Sequence, residues 1–535
     1  MHPQLATGLR ANDFLRIYGA DGVIKTVAAG INAPDNPRIH LKGLSGSLDA
    51  LLAASVFTLA PRDHLFILEE KEDAAYFQND LQNLLGREIL LFPMSYKRPY
   101  EFDETENANI LMRAGVLSRI SESEHPPQLI VTYPEALSEK VVSRRSLSAN
   151  TFNVSLGEKL DTHFLEEFLR SYDFESTDFV YEAGQFAVRG GIIDVFSFAN
   201  DLPYRIELFG NEIETIRTFD PVSQISAGDF QKVSIIPNLQ AKSMREERQS
   251  FLSFASPQSV LWFKDYQLTG DLIQKCYDTA ADSFARITAG NRAHVVSEPD
   301  KLFDDKMEFM RAADAFPCIE FGSRFALSPG QVFQFSSGPQ PSFNKNFEML
   351  ARDLERHQEE GYENFIASDL PHQLDKLRGI FDEINTSAGF CPLEFSLRQG
   401  FVDKNLKIIC YTDHQIFERF HHYRAREKFS KSKALTLREL QTLQPGDFVT
   451  HIDYGIAKFA GLEKKIVKDR EQETIRLVYK DDDMLYVSIH SLHKISRYSG
   501  KEGAPPAISK LGSPEWETRK SKVKKRVKDI AKELI

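Results

Sequence analysis

The sequence predicts a multidomain α/β chain that closes on a small β-barrel followed by a basic helix. Three observations carry this. At 535 residues the chain is too long for one core and divides into units of roughly 100–200 residues each. Residues 37–140 alternate short apolar runs with helix-spaced apolar residues, the pattern of a parallel sheet under covering helices. Residues 446–498 run through short alternating strands with tight turns.

In the first unit, residues 1–140, the segments RIHLKGL, HLFILEE, REILLFP and QLIVTYP read as buried strands. Between them 47–59, 72–85 and 106–120 read as helices; in the second, Ala74, Phe77, Leu81, Leu84 and Leu85 recur at helical spacing. Residues 141–235 change character. FAVRGGIIDVFSF and YRIELFGNEIETIRTFD are strand-rich, and Gly210 with Asn211 fits a two-residue hairpin turn, so a small α+β domain is inserted here. Residues 236–340 return to α/β, with VLWFKDY and HVVSE as strands and LIQKCYDTAADSF as a helix, and supply the second part of the first module. Residues 341–430 form a second small α/β domain of unassigned role: a polar helix over 346–360, then ENFIASDL and LKIICYTDH around the helix LDKLRGIFDEI. The charged stretch AREKFSKSKALTLREL lacks an apolar face, and 431–445 reads as a linker.

In the barrel, 446–500, Ile475, Leu477 and Tyr479 share one strand face, and Thr474, Arg476 and Val478 the other. Leu485, Val487 and Ile489 alternate again after the acidic turn 481–483, while Gly455 and Gly461 mark turns or bulges. Small barrels bind partners through an open sheet edge, whose unpaired N–H and C=O groups accept another strand. The alternation equally fits Ile475 and Leu477 filling the barrel core. The helix 513–535 places Val523, Val527, Ile530, Ala531 and Leu534 on one face, and its eight basic residues outnumber four acidic ones in a chain of net charge −11. It runs to Ile535 without a capping glycine and reads as interrupted, so an N-terminal fragment of a longer protein is expected.

The net charge argues against a globally nucleic-acid-binding surface. No apolar run reaches about 18 residues, and the N-terminus has no basic segment followed by an apolar one, so neither a membrane span nor a secretory signal is expected. Cys276, Cys318, Cys391 and Cys410 lie far apart and match no zinc spacing; buried, reduced thiols of a cytoplasmic protein are expected. His414, His421 and His422 lack an accompanying carboxylate pattern and read as surface histidines, with no metal expected.

GDFVTHIDYGIAKFAGLE, LVYKDDDMLYVSIHSLHKISRY and APPAISKLGSPEWETRKSKVKKRVKDIAKEL follow one another over 446–534. In this order they resemble the RNA-polymerase-interacting domain and relay helix of the bacterial transcription-repair coupling factor family. The resemblance implies an SH3/Tudor-like barrel that pairs an edge strand with the β subunit of RNA polymerase through Glu473, Thr474, Ile475, Arg476 and Leu477, with Ile475 or Leu477 as the central apolar residue. It also implies that the helix leads toward two motor lobes, absent here, that use ATP and Mg²⁺ to translocate on double-stranded DNA.

The same family opens on a module resembling the excinuclease B protein, whose first strand is followed by the phosphate loop G-x-x-x-x-G-K-[ST]. The corresponding stretch is Gly43-Leu44-Ser45-Gly46-Ser47-Leu48-Asp49-Ala50. Gly43 keeps the first glycine, but Leu48, Asp49 and Ala50 stand where the second glycine, the lysine and the hydroxyl would be. Glycine lets backbone N–H groups approach phosphates, lysine neutralises them, and Ser/Thr holds Mg²⁺. Asp49 sets an anion beside anions, a repulsion of roughly 1–4 kcal/mol at about 4 Å. The module is therefore expected to be a degenerate P-loop-type fold without nucleotide, and the chain to need no cofactor. The DNA-gripping aromatic hairpin of the excinuclease B protein is short here (FPMSYKRPYEFDETEN), and Tyr96, Tyr100 and Phe102 read as packing residues.

FAVRGGIIDVFSFANDLPYRIELFGNEIETIRTFD resembles the domain through which both the excinuclease B protein and the coupling factors bind the excinuclease A protein. Arg189, Arg205 and Glu207 match its polar contact positions, and arginine's rigid fork suits carboxylates at an interface. These residues also fit internal pairing with one another or with Asp194. Glu175 stands where some relatives carry arginine, which removes support for a contact there. The resemblance thus implies a non-enzymatic scaffold that joins stalled RNA polymerase to nucleotide excision repair. Two other readings stay open. A stand-alone helicase-like ATPase is opposed by the damaged loop. A small-barrel regulator that only binds polymerase is opposed by the excinuclease-like first third.

Overall fold

Seven parallel strands form the largest sheet, in the order Gln331–Gln334, Arg38–Lys42, Cys318–Glu320, Val260–Phe263, His64–Ile67, Leu129–Thr132, Leu90–Leu91. HLFI, LIVT and VLWF are buried at every position, as strands covered on both faces must be. In this computed structural model the described residues are 10–34, 36–96, 99–100, 107–122, 125–221, 224–238, 248–289, 297–419, 443–451, 453–467, 470–488, 495–498, 506, 508–511 and 516. The chain divides into two compact units, one of residues 1–201, 206–216 and 231–426, the other of 202–205, 217–230 and 427–535.

The expected alternation over 37–140 appears as strands 38–42, 64–67, 90–91 and 129–132, with helices Leu48–Leu59, Lys71–Leu85 and Asn107–Ser121. Helix Leu48–Leu59 is apolar almost all round, because helices Ala11–Ala20 and Gly22–Gly30 pack on it as well. The second of these is capped by Asp21, whose carboxylate accepts from the N–H groups of Val23 and Ile24. Pattern reading does not supply strand order. Strands 260–263 and 318–320, from the far side of the insertion, enter the sheet between 38–42 and 64–67.

The strand-rich insertion builds a six-stranded sheet in the order Ser226–Asp229, Glu212–Phe219, Tyr204–Phe209, Ile192–Val195, Gln185–Arg189, Glu175–Ser176. The expected hairpin turn closes at Gly210 with φ +64°. Beside it, Phe152–Ser155 pairs with Lys232–Ile235, and helix Thr162–Ser171 starts on an Asp161 cap.

A second α/β sheet has the order Ser337–Pro339, Phe401–Asp403, Ile408–Thr412, Glu363–Ala367, Cys391–Leu393; its last three strands are parallel and its first two pairings antiparallel. Its helices, Phe347–Glu359 and Pro371–Glu383, lie where the sequence places them. Alternate residues of strand 363–367 face opposite ways. Ile366 packs with Leu350, Leu354, Leu377 and Ile409 of its own domain, while Phe365 and Ala367 belong to the core of the seven-stranded module.

Residues 443–498 form a five-stranded antiparallel sheet, in the order Met484–Ser488, Arg470–Val478, Gly455–Val467, Phe448–His451, Ile495–Arg497. The mixed multidomain α/β class read from the sequence is thus the one observed. Among the described residues no helix is long and apolar enough to cross a membrane, and no cluster could hold a metal. All four cysteines are free; Cys318, Cys391 and Cys410 are buried, whereas Cys276 is only half-buried. The relay helix 513–535, Trp516 excepted, and residues 431–442 of the expected linker 431–445 lie outside the described residues; the linker's last residues belong instead to the barrel, where Leu443 is buried in the core.

Candidate protein-interaction surfaces

The loop 43–50 joins strand 38–42 to helix 48–59, the expected place. Backbone packing requires its glycines. A Cβ at Gly43 would lie 2.1 Å from the carbonyl oxygen of Phe335, and one at Gly46 2.5 Å from that of Gly400. Both residues have positive φ, +81° and +56°. Leu48 and Ala50 are buried in the core. Asp49 is already occupied: Lys264, just past strand 260–263, donates to it at 2.5 Å. Lys264 also borders an open cleft of about 460 Å³, lined further by Lys42, Gly43, Glu69 and Ser323 at the carboxyl ends of the strands. Asp49→Lys is expected to leave a Mg²⁺-ATP calorimetric titration flat. It should also lower stability by roughly 1–3 kcal/mol, because Lys264 then faces a cation instead of its partner.

In the insertion the sequence-predicted residues fare differently. Arg189 takes the internal alternative: its guanidinium pairs with the buried Asp194 carboxylate, donates to the Asp178 carbonyl, and lies 5.1 Å from the Phe179 ring centre. Arg205 stacks 4.1 Å from the Phe219 ring and donates to Gln224 at 2.8 Å. Glu207 accepts from the Thr215 hydroxyl at 2.9 Å. Arg205 and Glu207 alternate on strand Tyr204–Phe209 with a residue the sequence reading passed over, Phe209, which is 80 % exposed. Tyr204 and Ile206 point to the core, so the strand sets an aromatic on its polar face directly before the turn. That break in the alternation was the available signal, since an exposed aromatic beside charged groups is the composition of an interface anchor. Glu175 lies on an exposed strand.

The barrel corrects one expectation. Residues 474–477 do not form an open edge. Thr474, Ile475, Arg476, Leu477 and Val478 pair with Ser488 back to Met484 on one side, and the same strand pairs with Gly455–Val467 on the other. The reason is connectivity: reversals at both ends of 470–478 make it the middle strand of a meander. Ile475 and Leu477 are fully buried in the barrel core with Val449, Phe459, Tyr479 and Val487. Thr474 is buried too, its hydroxyl donating to the Glu463 carbonyl at 2.7 Å. Arg476 alone of these four keeps a partly exposed side chain, donating to the Ala460 carbonyl at 3.0 Å. The backbone of Glu473 pairs with Lys464, and 470–473 pair with no described residue on their other side. Among the described residues the outermost strands are 484–488 and 495–497.

The remaining aromatics pack inward. Tyr96 meets Phe303 edge-on at 5.6 Å, and Tyr100 packs on Phe284 and Phe303; Phe102 lies outside the described residues. His414 is buried rather than on the surface, with Nε2 2.9 Å from the Arg398 carbonyl oxygen, and burial pushes its pKa down. His421 and His422 lie outside the described residues.

Comparison with known proteins matches two segments of the chain to family models. Residues 152–240 match the UvrB interaction domain, and residues 443–499 match the CarD-like/TRCF RID domain. Curated relatives are named transcription-repair-coupling factor. One from Staphylococcus aureus (strain bovine RF122 / ET3-1) is 22 % identical across 92 % of this chain and 48 % of its own length. One from Staphylococcus haemolyticus (strain JCSC1435) is 23 % identical across 93 % of this chain and 48 % of its own. The chain spans about half the length of the curated relatives it matches. Two of its segments thus match the UvrB interaction domain and the CarD-like/TRCF RID domain, and over most of its length the chain is similar to the N-terminal part of the transcription-repair-coupling factors.

Proposed function

We propose that this chain is a scaffold with two binding domains that couples transcription to repair. Its insertion recruits the excinuclease A protein, and its barrel docks on the β subunit of a stalled RNA polymerase, bringing nucleotide excision repair to the lesion. The observation that carries the reading is the presence in one chain of the two matched domains, at 152–240 and 443–499. The first module is read as a P-loop-type fold that has lost its nucleotide, and the barrel as SH3/Tudor-like. ATP- and Mg²⁺-driven translocation on double-stranded DNA is assigned to the part of the relatives that this chain does not span. No catalytic role is assigned to these residues. The pairing of Asp49 with Lys264 disfavours a stand-alone ATPase.

On this reading the recruiting surface centres on Arg205, Glu207 and Phe209, with Arg189 bracing the neighbouring strand. The polymerase strand adds to an outer strand of the barrel, with Arg476 at its flank. The test is a three-component pull-down in which the chain links the excinuclease A protein to the polymerase β subunit. Wild type should bridge the two. Phe209→Ala and Arg205→Glu should each weaken binding of the excinuclease A protein by about tenfold or more while polymerase capture is unchanged. Bridging that survives both substitutions together would overturn the recruiting surface. Failure of wild type to capture either partner would overturn the scaffold.

A further inference from the structure

The second α/β domain, 341–416, has no role in the scaffold as proposed, and one of its loops makes an unusual set of contacts. Residues 396–400 lie on the loop 43–50. The backbone N–H of Ser47, of the kind that a phosphate loop aims at its ligand, donates to the Gln399 carbonyl at 3.1 Å. The Ser47 hydroxyl accepts from the Gln399 N–H at 3.0 Å and donates to the Asp80 carboxyl at 2.6 Å. The other Asp80 oxygen accepts from the Arg398 N–H at 2.8 Å. Gly46 exists as glycine because the Gly400 carbonyl stands where its Cβ would be. Ser47 and Asp80 are both buried.

The segment is held from behind as well. Gly400 donates to Gln415 Oε1 at 2.6 Å, and its carbonyl accepts from the Gln340 N–H at 3.1 Å. The Arg398 side chain reaches Asp73 and covers the Tyr76 ring at 4.5 Å.

We propose that residues 396–400 are a built-in ligand of the loop 43–50: a neutral backbone carbonyl takes the seat of a phosphate, and Asp80 with Ser47 latches it there. The second domain thereby does for this module what a nucleotide does for a phosphate-loop protein: it joins the loop to the polypeptide across from it. Nucleotide is excluded by occupation of the seat and not only by loss of lysine. These contacts stand whatever partners the chain recruits.

The test is amide hydrogen exchange on the full chain, followed in peptides covering 43–50, 394–401 and, for reference, 260–263. In wild type both loop windows should be protected. Ser47→Ala removes the hydroxyl between Asp80 and Gln399 without a large loss of volume. It should raise exchange in both loop windows by the same factor, about tenfold, and leave 260–263 unchanged. A rise confined to 43–50, or windows that already exchange freely in wild type, would overturn the proposal. Inorganic triphosphate with Mg²⁺ added to wild type provides a measurement that needs no variant. Exchange over 43–50 should not change, and slowing there would show an open seat and overturn it.

Discussion

Leu477→Arg should unfold the barrel, not merely blunt a contact. The side chain has no exposure and lies among Val449, Ala457, Phe459, Ile475 and Tyr479. Losing its burial removes about 1.5–3 kcal/mol. An unpaired guanidinium in the same place adds several kcal/mol more. A domain of this size has only about 5–15 kcal/mol in total, and small cores sit at the low end. Limited proteolysis of residues 443–499 should therefore change from resistant to rapid, and Ile475→Arg should behave alike. Arg476→Glu, on the partly exposed position between them, should shift stability by no more than about 1 kcal/mol. Loss of polymerase capture by Leu477→Arg would then report a missing domain. Capture lost by Arg476→Glu with the barrel intact would report a contact. Protease resistance retained in Leu477→Arg would show that the strand is not interior.

The second large effect is a pH dependence carried by Asp80. Burial pushes its carboxyl from 3.8 up to about 7; the Ser47 hydroxyl, the Arg398 N–H and the Arg398 charge pull it down, and Asp49 pushes it further up. Cys410 faces the same site, its thiol pushed up by burial and then by Asp80 itself. Because the native pKa is the higher one, between about pH 4 and 7 the folded state keeps a proton that the unfolded state has released. Stability contributed at this site therefore falls as pH rises through that window, by roughly 1.4 kcal/mol per unit, and is level above it. Asp304, also raised to about 7 by burial, acts with the same sign. Comparing urea midpoints of wild type and Asp80→Asn from about pH 5 to 8 isolates the Asp80 share. The wild-type midpoint should fall relative to the variant as pH rises to about 7. A difference that does not vary with pH would show an ionised, hydrated carboxylate.

Much of the fold was legible because its signals are local. Strands such as HLFI and LIVT are covered on both faces and therefore read as unbroken apolar runs. The turn at Gly210 follows from a single local pair, glycine and asparagine between two alternating runs. What stayed hidden depends on pairing over distance. The alternation in ETIRLVY is the same for an outer strand and for one zipped on both sides, so the interior position of 474–478 had no local mark. Asp49 and Lys264 are 215 positions apart, and Ser47 and Gln399 are 352 apart. No spacing rule joins such partners. His414 reads as a surface histidine because no carboxylate pattern accompanies it; its partner in the fold, the Arg398 carbonyl, lies on another loop.

The two-sided strand 363–367 sets a limit on how this protein can be cut. Phe365 and Ala367 are shared property, lodged in the core of the seven-stranded module together with Phe401 and Cys410. Truncation at residue 340 would leave that sheet face wet on one piece and a matching hollow on the other. The smallest self-sufficient piece of the first unit therefore runs past its apparent boundary to the end of helix Asp413–Ile416, and shorter versions should be insoluble when expressed.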